Sequence, residues 1–244
     1  MVLMVSVLLL MTTAEALTGV NDDAAGIQEE VSMPQSTEQE ELWRTVLVNP
    51  WHALPQDYQT ELVSLKNGLQ VDKRIYDDLN AMLIACREEG LQPIVCSAYR
   101  SYALQQRLYS NKVLRLQNAG YGLEEARKEA ARWVAVPGTS EHQTGLALDI
   151  VSLSYQLLDQ KQEKTAEQQW LMEHCWEYGF ILRYPADKCE ITGIGYEPWH
   201  YRYVGRETAA ELQRSGLCLE EYLVQQDSLE ETAKLSLFFG PIPT

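Results

Sequence analysis

The sequence predicts an α+β domain in which helices pack on a small, mostly antiparallel sheet. Three observations predict it. Short apolar runs with strand character at residues 93–98, 145–151 and 199–204 are interleaved with stretches of helical period at 71–89, 101–116, 123–134, 168–178 and 206–215. The two kinds of element follow one another without a regular strand–helix–strand rhythm, which counts against a doubly wound parallel sheet. Gly90, Gly179 and Gly216 stand where three of the helices must stop.

The elements follow in order. The folded part is expected to begin near Leu42, with a β-rich run at 46–48 and a turn at Asn49–Pro50. In the first helix, Asp72 is the cap and Ile75, Leu79, Met82, Leu83 and Cys86 form the apolar stripe. The strand at 93–98 feeds a helix whose Leu104, Leu108 and Val113 are expected to face inward. In the strand at 145–151, Leu146, Leu148 and Ile150 share one face, and Gly145, Ala147 and Asp149 the other. In the strand at 199–204, Trp199, Tyr201 and Tyr203 form the core-facing row, opposite His200 and Arg202. From Ser228 the pattern weakens, and residues 228–244 are expected to be a tail along the surface. No internal repeat is present.

The first 41 residues differ in character. Residues 1–11 are almost wholly apolar and too short to span a bilayer comfortably, and Ala14-Glu15-Ala16 resembles a leader cleavage site. No Lys or Arg precedes the run, so residues 1–16 are expected to be either a signal peptide or a short membrane anchor. Residues 17–41 are acidic, lack aromatics and are rich in Gln, Ser and Thr, the composition of a disordered linker. This layout places the domain, residues 42–227, outside the cell membrane.

A formal net charge of -15 excludes a nucleic-acid partner, which needs clustered Lys and Arg. The five cysteines, Cys86, Cys96, Cys175, Cys189 and Cys218, form no C-x-x-C pair and no dense disulfide framework. They are expected to be buried free thiols, with a Cys175–Cys189 bridge as the less favoured alternative.

Three segments carry chemistry. In PGTSEHQTGLALDI, residues 137–150, the face shared by Gly145, Ala147 and Asp149 leaves room beside the carboxylate for a metal and a substrate. His142 precedes Asp149 by seven residues, an odd spacing that puts the two on opposite faces of a straight strand. Both reach one ion only if His142 sits on the preceding loop and the chain bends near Gly145. In GIGYEPWHYRYVG, residues 193–205, Pro198 keeps Glu197 on the loop entering the strand that carries His200. Two imidazoles and a carboxylate suit catalytic zinc with a position left for water, and Glu197 is the candidate general base. In SAYRS, residues 97–101, Arg100 stands at the end of a strand, placed to grip a carboxylate or an oxyanion. Each piece alone also has a structural reading: Asp149 as a turn cap, Arg100 in a surface ion pair. Of the other histidines, His52 lies in an early loop, and His174 lies four residues from both Trp170 and Tyr178, as a packing residue would. No H-E-x-x-H helix is present.

Taken together, SAYRS with Gln105, SEHQTGLALD and EPWHYRYVG resemble the VanY-like D-alanyl-D-alanine carboxypeptidases, in that family's order and over roughly residues 42–223. These belong to a group of zinc peptidases that includes D-Ala-D-Ala dipeptidases and L,D-carboxypeptidases. The resemblance implies zinc held by His142, Asp149 and His200, with Glu197 as general base and Arg100 stabilising the oxyanion. It also implies that Gln105 supports substrate binding and that Ser140 holds the substrate's terminal carboxylate. The implied substrate is a peptidoglycan stem pentapeptide ending in D-Ala, cleaved by a monomer at the cell wall. An L,D-carboxypeptidase acting on tetrapeptides is the alternative, and a wall-binding module without activity is disfavoured by the intact Glu197 and Arg100.

Overall fold

The structure is a computed structural model that describes residues 42–55 and 57–239; the leader and linker expected at 1–41 lie outside the described residues. Its centre is a four-stranded sheet in the order β3 (Pro93–Ser97), β4 (Ala147–Ser152), β6 (His200–Tyr203), β5 (Phe180–Leu182), with every neighbouring pair antiparallel. A small hairpin, β1 (Leu62–Ser64) and β2 (Gln70–Asp72), precedes it. The helices are α1 (Tyr76–Glu88), α2 (Tyr102–Asn118), α3 (Leu123–Ala131), α4 (Ala166–His174), the single turn α5 (Cys189–Thr192), α6 (Arg206–Ser215) and α7 (Leu219–Phe239). This is the α+β arrangement the sequence predicts.

Leu146, just before β4, and Leu148 and Ile150 on it pack into one core with Tyr201 and Tyr203 of β6, Leu79 and Met82 of α1, and Leu171 of α4. Burial of this apolar face, not helix propensity, holds the helices on the sheet. The opposite face of β4 and β6 is left for polar side chains. A second, smaller cluster joins α6 and α7 through Ala209, Leu212 and Leu219. Among the described residues no helix is long and apolar enough to cross a membrane.

Several local expectations change. The run at 46–48 forms no strand; the Arg202 guanidinium donates to the carbonyls of Arg44 and Val46 at 3.0 and 2.9 Å, taking the place of a neighbouring strand. Asp72 still pairs with Leu62 in the hairpin, so it caps a 3-10 turn at Lys73–Ile75 and the α-helix starts only at Tyr76. Leu108 and Trp199 line a cleft instead of joining the main core. Within the C-terminal segment the backbone continues past Ser228 as α7 to Phe239. All five thiols are free, and Cys86, Cys175 and Cys218 are buried. Cys96 is exposed and Cys189 partly exposed, so burial does not extend to the whole set.

Candidate metal centre and active site

Asp149 lies directly across the ladder from His200, and on its other side from Ser97. Register partners in an antiparallel pair project to the same face. The Asp149 Oδ1 therefore comes to 3.2 Å from His200 Nδ1 on the polar side of the sheet. His142 arrives from outside the sheet, on a 3-10 turn at Glu141–Thr144. Gly145 then adopts φ +78°, a left-handed conformation, and swings the chain into β4. A side chain is excluded there by space as well as by φ, since a Cβ would lie 2.8 Å from the backbone nitrogen of Asp72. The bend brings His142 Nε2 to 3.3 Å from Asp149 Oδ1.

The three side chains offer ligand atoms all within 4.8 Å of one another. His142 Nε2 and Asp149 Oδ1 are buried and have no hydrogen-bond partner, a costly state for polar atoms unless something else occupies them. The far side of the His142 ring is fixed, because Nδ1 donates to the Ala98 carbonyl at 2.7 Å, which leaves the Nε2 lone pair pointing into the cluster. The two imidazoles stand edge to face with centroids 4.9 Å apart. Their donor set of two nitrogens and one carboxylate oxygen fits a zinc ion with an open position.

Titration follows from these contacts. Burial and the Arg100 charge push His142 down to about 4. His200 goes the other way, to about 9: burial opposes its charge, but the carboxylates of Asp149 and Glu141 facing its two ring nitrogens outweigh it. Burial pushes the Glu197 carboxyl up to about 8, against the opposing charge of His200. Glu197 Oε2 sits 3.7 Å from His200 Nδ1, so the loop before Pro198 delivers the carboxylate to the edge of the cluster.

Arg100 follows the last residues of β3, with Nη2 3.5 Å from Asp149 Oδ2. Its Nη1 donates to Gln105 Oε1 at 3.1 Å, and the Gln105 amide donates to the Ala135 carbonyl at 2.7 Å. Gln105 is fully buried, with its amide oxygen bonded to Arg100 and its amide nitrogen to the Ala135 carbonyl. Ser140 lines the cleft beside His142. His52 pairs with Asn49, and His174 packs on Trp170 and pairs with Glu177, away from the cluster. All seven site residues expected from the sequence thus line one cleft of about 800 Å³.

Sequence reasoning missed what lies behind His200. Glu141 is completely buried, and its Oε2 faces His200 Nε2 at 3.4 Å. Its Oε1 accepts from Arg183 Nε and Arg202 Nη1, both at 2.8 Å. Burial alone would favour the neutral acid, but the two arginines and His200 hold the carboxyl well below the usual range. Arg183 continues the chain to Glu220 on α7, at 2.8 and 2.6 Å. The available signal was Arg202, which shares a strand face with His200: a buried arginine beside the site requires a buried carboxylate.

Comparison with known proteins agrees with this geometry. Residues 68–206 match the family model described as VanY, D-alanyl-D-alanine carboxypeptidase. A D-alanyl-D-alanine carboxypeptidase of Enterococcus faecalis (strain ATCC 700802 / V583) is 44% identical over 208 residues, covering 84% of this chain and 76% of the relative. A solved structure of VanYB in complex with D-alanine-D-alanine superposes with a TM-score of 0.69 at 46% identity, covering 74% of this chain and 97% of that one. A mutant of the vancomycin-resistance D,D-pentapeptidase VanY, in complex with Zn(II), gives a TM-score of 0.68 at 45% identity, covering 74% and 99%. With more than half of the chain matched by the family model, and a relative this similar over three quarters of its length, the chain belongs to the VanY family of D-alanyl-D-alanine carboxypeptidases.

Proposed function

We propose that this chain is a zinc-dependent D,D-carboxypeptidase that removes the terminal D-Ala from peptidoglycan stem pentapeptides. The observation that carries the reading is the pair of buried, unpartnered atoms, His142 Nε2 and Asp149 Oδ1, facing His200 Nδ1 with Glu197 alongside. His142, Asp149 and His200 would hold the ion. Zinc bound there acidifies a water and polarises a carbonyl.

The chain's own groups do the rest. Glu197, delivered to the edge of the cluster with Oε2 3.7 Å from His200 Nδ1, takes a proton from the attacking water and returns it to the departing amine nitrogen. Arg100, kept in place by Gln105, faces the negative charge that develops on the carbonyl oxygen. Ser140 supplies a hydroxyl for the terminal carboxylate of the substrate. The apolar run at 1–11 and the linker composition of 17–41 support an extracytoplasmic enzyme, secreted or anchored at the wall.

Mass spectrometry of the products from a stem pentapeptide and a stem tetrapeptide, each with and without chelator, tests the activity. Chelator-sensitive loss of one D-Ala from the pentapeptide alone is expected. Loss from the tetrapeptide would move the activity to the L,D class, and cleavage of neither by zinc-loaded protein would overturn the reading.

A further inference from the structure

The cleft extends well past the metal cluster, along α2. Gln105, Leu108, Lys112 and Arg115 all line it, spaced i, i+3, i+7 and i+10, which is one face of a helix. Gln105 is tied to Arg100 at the reacting end. At about 1.5 Å of rise per residue, Lys112 stands about 10 Å and Arg115 about 15 Å further along the helix axis. An extended peptide advances about 3.3 Å per residue, so these distances correspond to about three or four residues upstream of the scissile bond.

The charge there is out of keeping with the rest of the molecule. The chain carries 35 acidic and 20 basic residues. Several exposed cations elsewhere on the surface are paired, as in Lys73–Glu61, Arg127–Glu124 and Arg206–Asp78. Lys112, Arg115 and Lys161, which also lines the cleft, take part in no ion pair among the described residues. Asp159, on the same wall, already accepts from the Tyr155 hydroxyl at 2.6 Å and from the Lys161 backbone N–H at 2.8 Å.

We infer that Lys112 and Arg115, with Lys161, form a subsite for a carboxylate carried by the substrate upstream of the scissile bond. This rests on the carboxypeptidase reading above and adds a specificity to it: the enzyme reads a charged group of the stem peptide and not the terminal D-Ala residues alone. Stem pentapeptides offer a carboxylate at two places that reach this far: one three residues upstream, and one two residues upstream at the end of a long side chain. One is the α-carboxylate of a D-Glu second residue, which amidation removes. The other is the side-chain carboxylate of a diaminopimelate third residue, which a lysine there lacks.

The test is kcat/KM of the zinc-loaded full chain on stem pentapeptides differing only in these groups: D-Glu against D-isoglutamine at the second residue, and diaminopimelate against lysine at the third. A free carboxylate at one of the two places is expected to raise kcat/KM by roughly fivefold, the scale of two solvent-exposed charge contacts, and the gain should shrink with added salt. In K112Q/R115Q the ratio between charged and uncharged substrates falls to about one, and in K112E/R115E it falls below one; each variant is its own control because only the ratio is read. A ratio of one for both pairs in the wild type, or an unchanged ratio in K112Q/R115Q, would overturn the subsite while leaving the carboxypeptidase reading intact. No chelator-sensitive release of D-Ala from any of the four peptides would contradict that reading itself, and the subsite with it.

Discussion

Asp149 on β4 and His200 on β6 are register partners, and this pairing alone sets Oδ1 3.2 Å from Nδ1. Two of the three candidate ligands are therefore as rigid as the sheet. The third depends on the chain reversal at Gly145, and His200 depends in addition on the buried carboxylate behind it.

Gly145→Ala forces a Cβ against the Asp72 backbone at a positive φ. The expected cost is about 1–3 kcal/mol of stability. Zinc affinity should weaken as well, because relief of the clash moves His142. Denaturant midpoints and zinc competition with a chelator measure the two effects; an unchanged midpoint would contradict the packing described here.

Glu141→Gln leaves Arg183 and Arg202 without the carboxylate they share and removes the anionic acceptor facing His200 Nε2. Breaking a buried pair of this kind costs about 3–5 kcal/mol. Loss of the carboxylate behind a ligating imidazole lowers metal affinity by roughly 10- to 100-fold. Equal zinc affinity in the variant, measured by competition under conditions where it is folded, would rule out the supporting role.

The pH dependence of the metal-free protein carries a sign. Glu197 has an ordinary value of 4.5 and a folded value of about 8, so between the two the fold keeps a proton that the unfolded chain has lost. Stability from this group is present at low pH and is lost as pH rises through that window. His200, raised from 6.5 to about 9, adds a loss of the same sign at higher pH. His142, lowered to about 4, acts oppositely and costs stability as pH falls below 6.5. Denaturation of chelated protein across pH should therefore show a shallower decline toward pH 8 in Glu197→Gln than in wild type; parallel curves would contradict the burial of this carboxyl.

Much of this was legible in the sequence, for identifiable reasons. From Leu146 to Ile150 large apolar residues alternate with Ala147 and Asp149, so the core face and the metal face separate on inspection. Pro198 and Gly145 mark the breaks that let loop residues converge with strand residues. What was illegible depended on tertiary partners. Val46 and Leu47 have strand propensity, yet the carbonyls of Arg44 and Val46 are taken by a guanidinium from β6, 156 residues or more away in sequence. Glu141 lies between two motif residues and gave no local sign that Arg183 and Arg202 would bury it. Leu108 has the spacing of a core residue, and only the cleft beside α2 shows which way that face looks.

The central claim is that Glu197 does proton chemistry beside a metal held by His142, Asp149 and His200. The most direct measurement is D-Ala release from a stem pentapeptide by wild type and by Glu197→Gln, each with its zinc content determined on the same sample. The account predicts one zinc per chain in both proteins and a rate lower by about 10²- to 10⁴-fold in the variant. Full activity in zinc-loaded Glu197→Gln, or undiminished release by wild type stripped of metal, would contradict it.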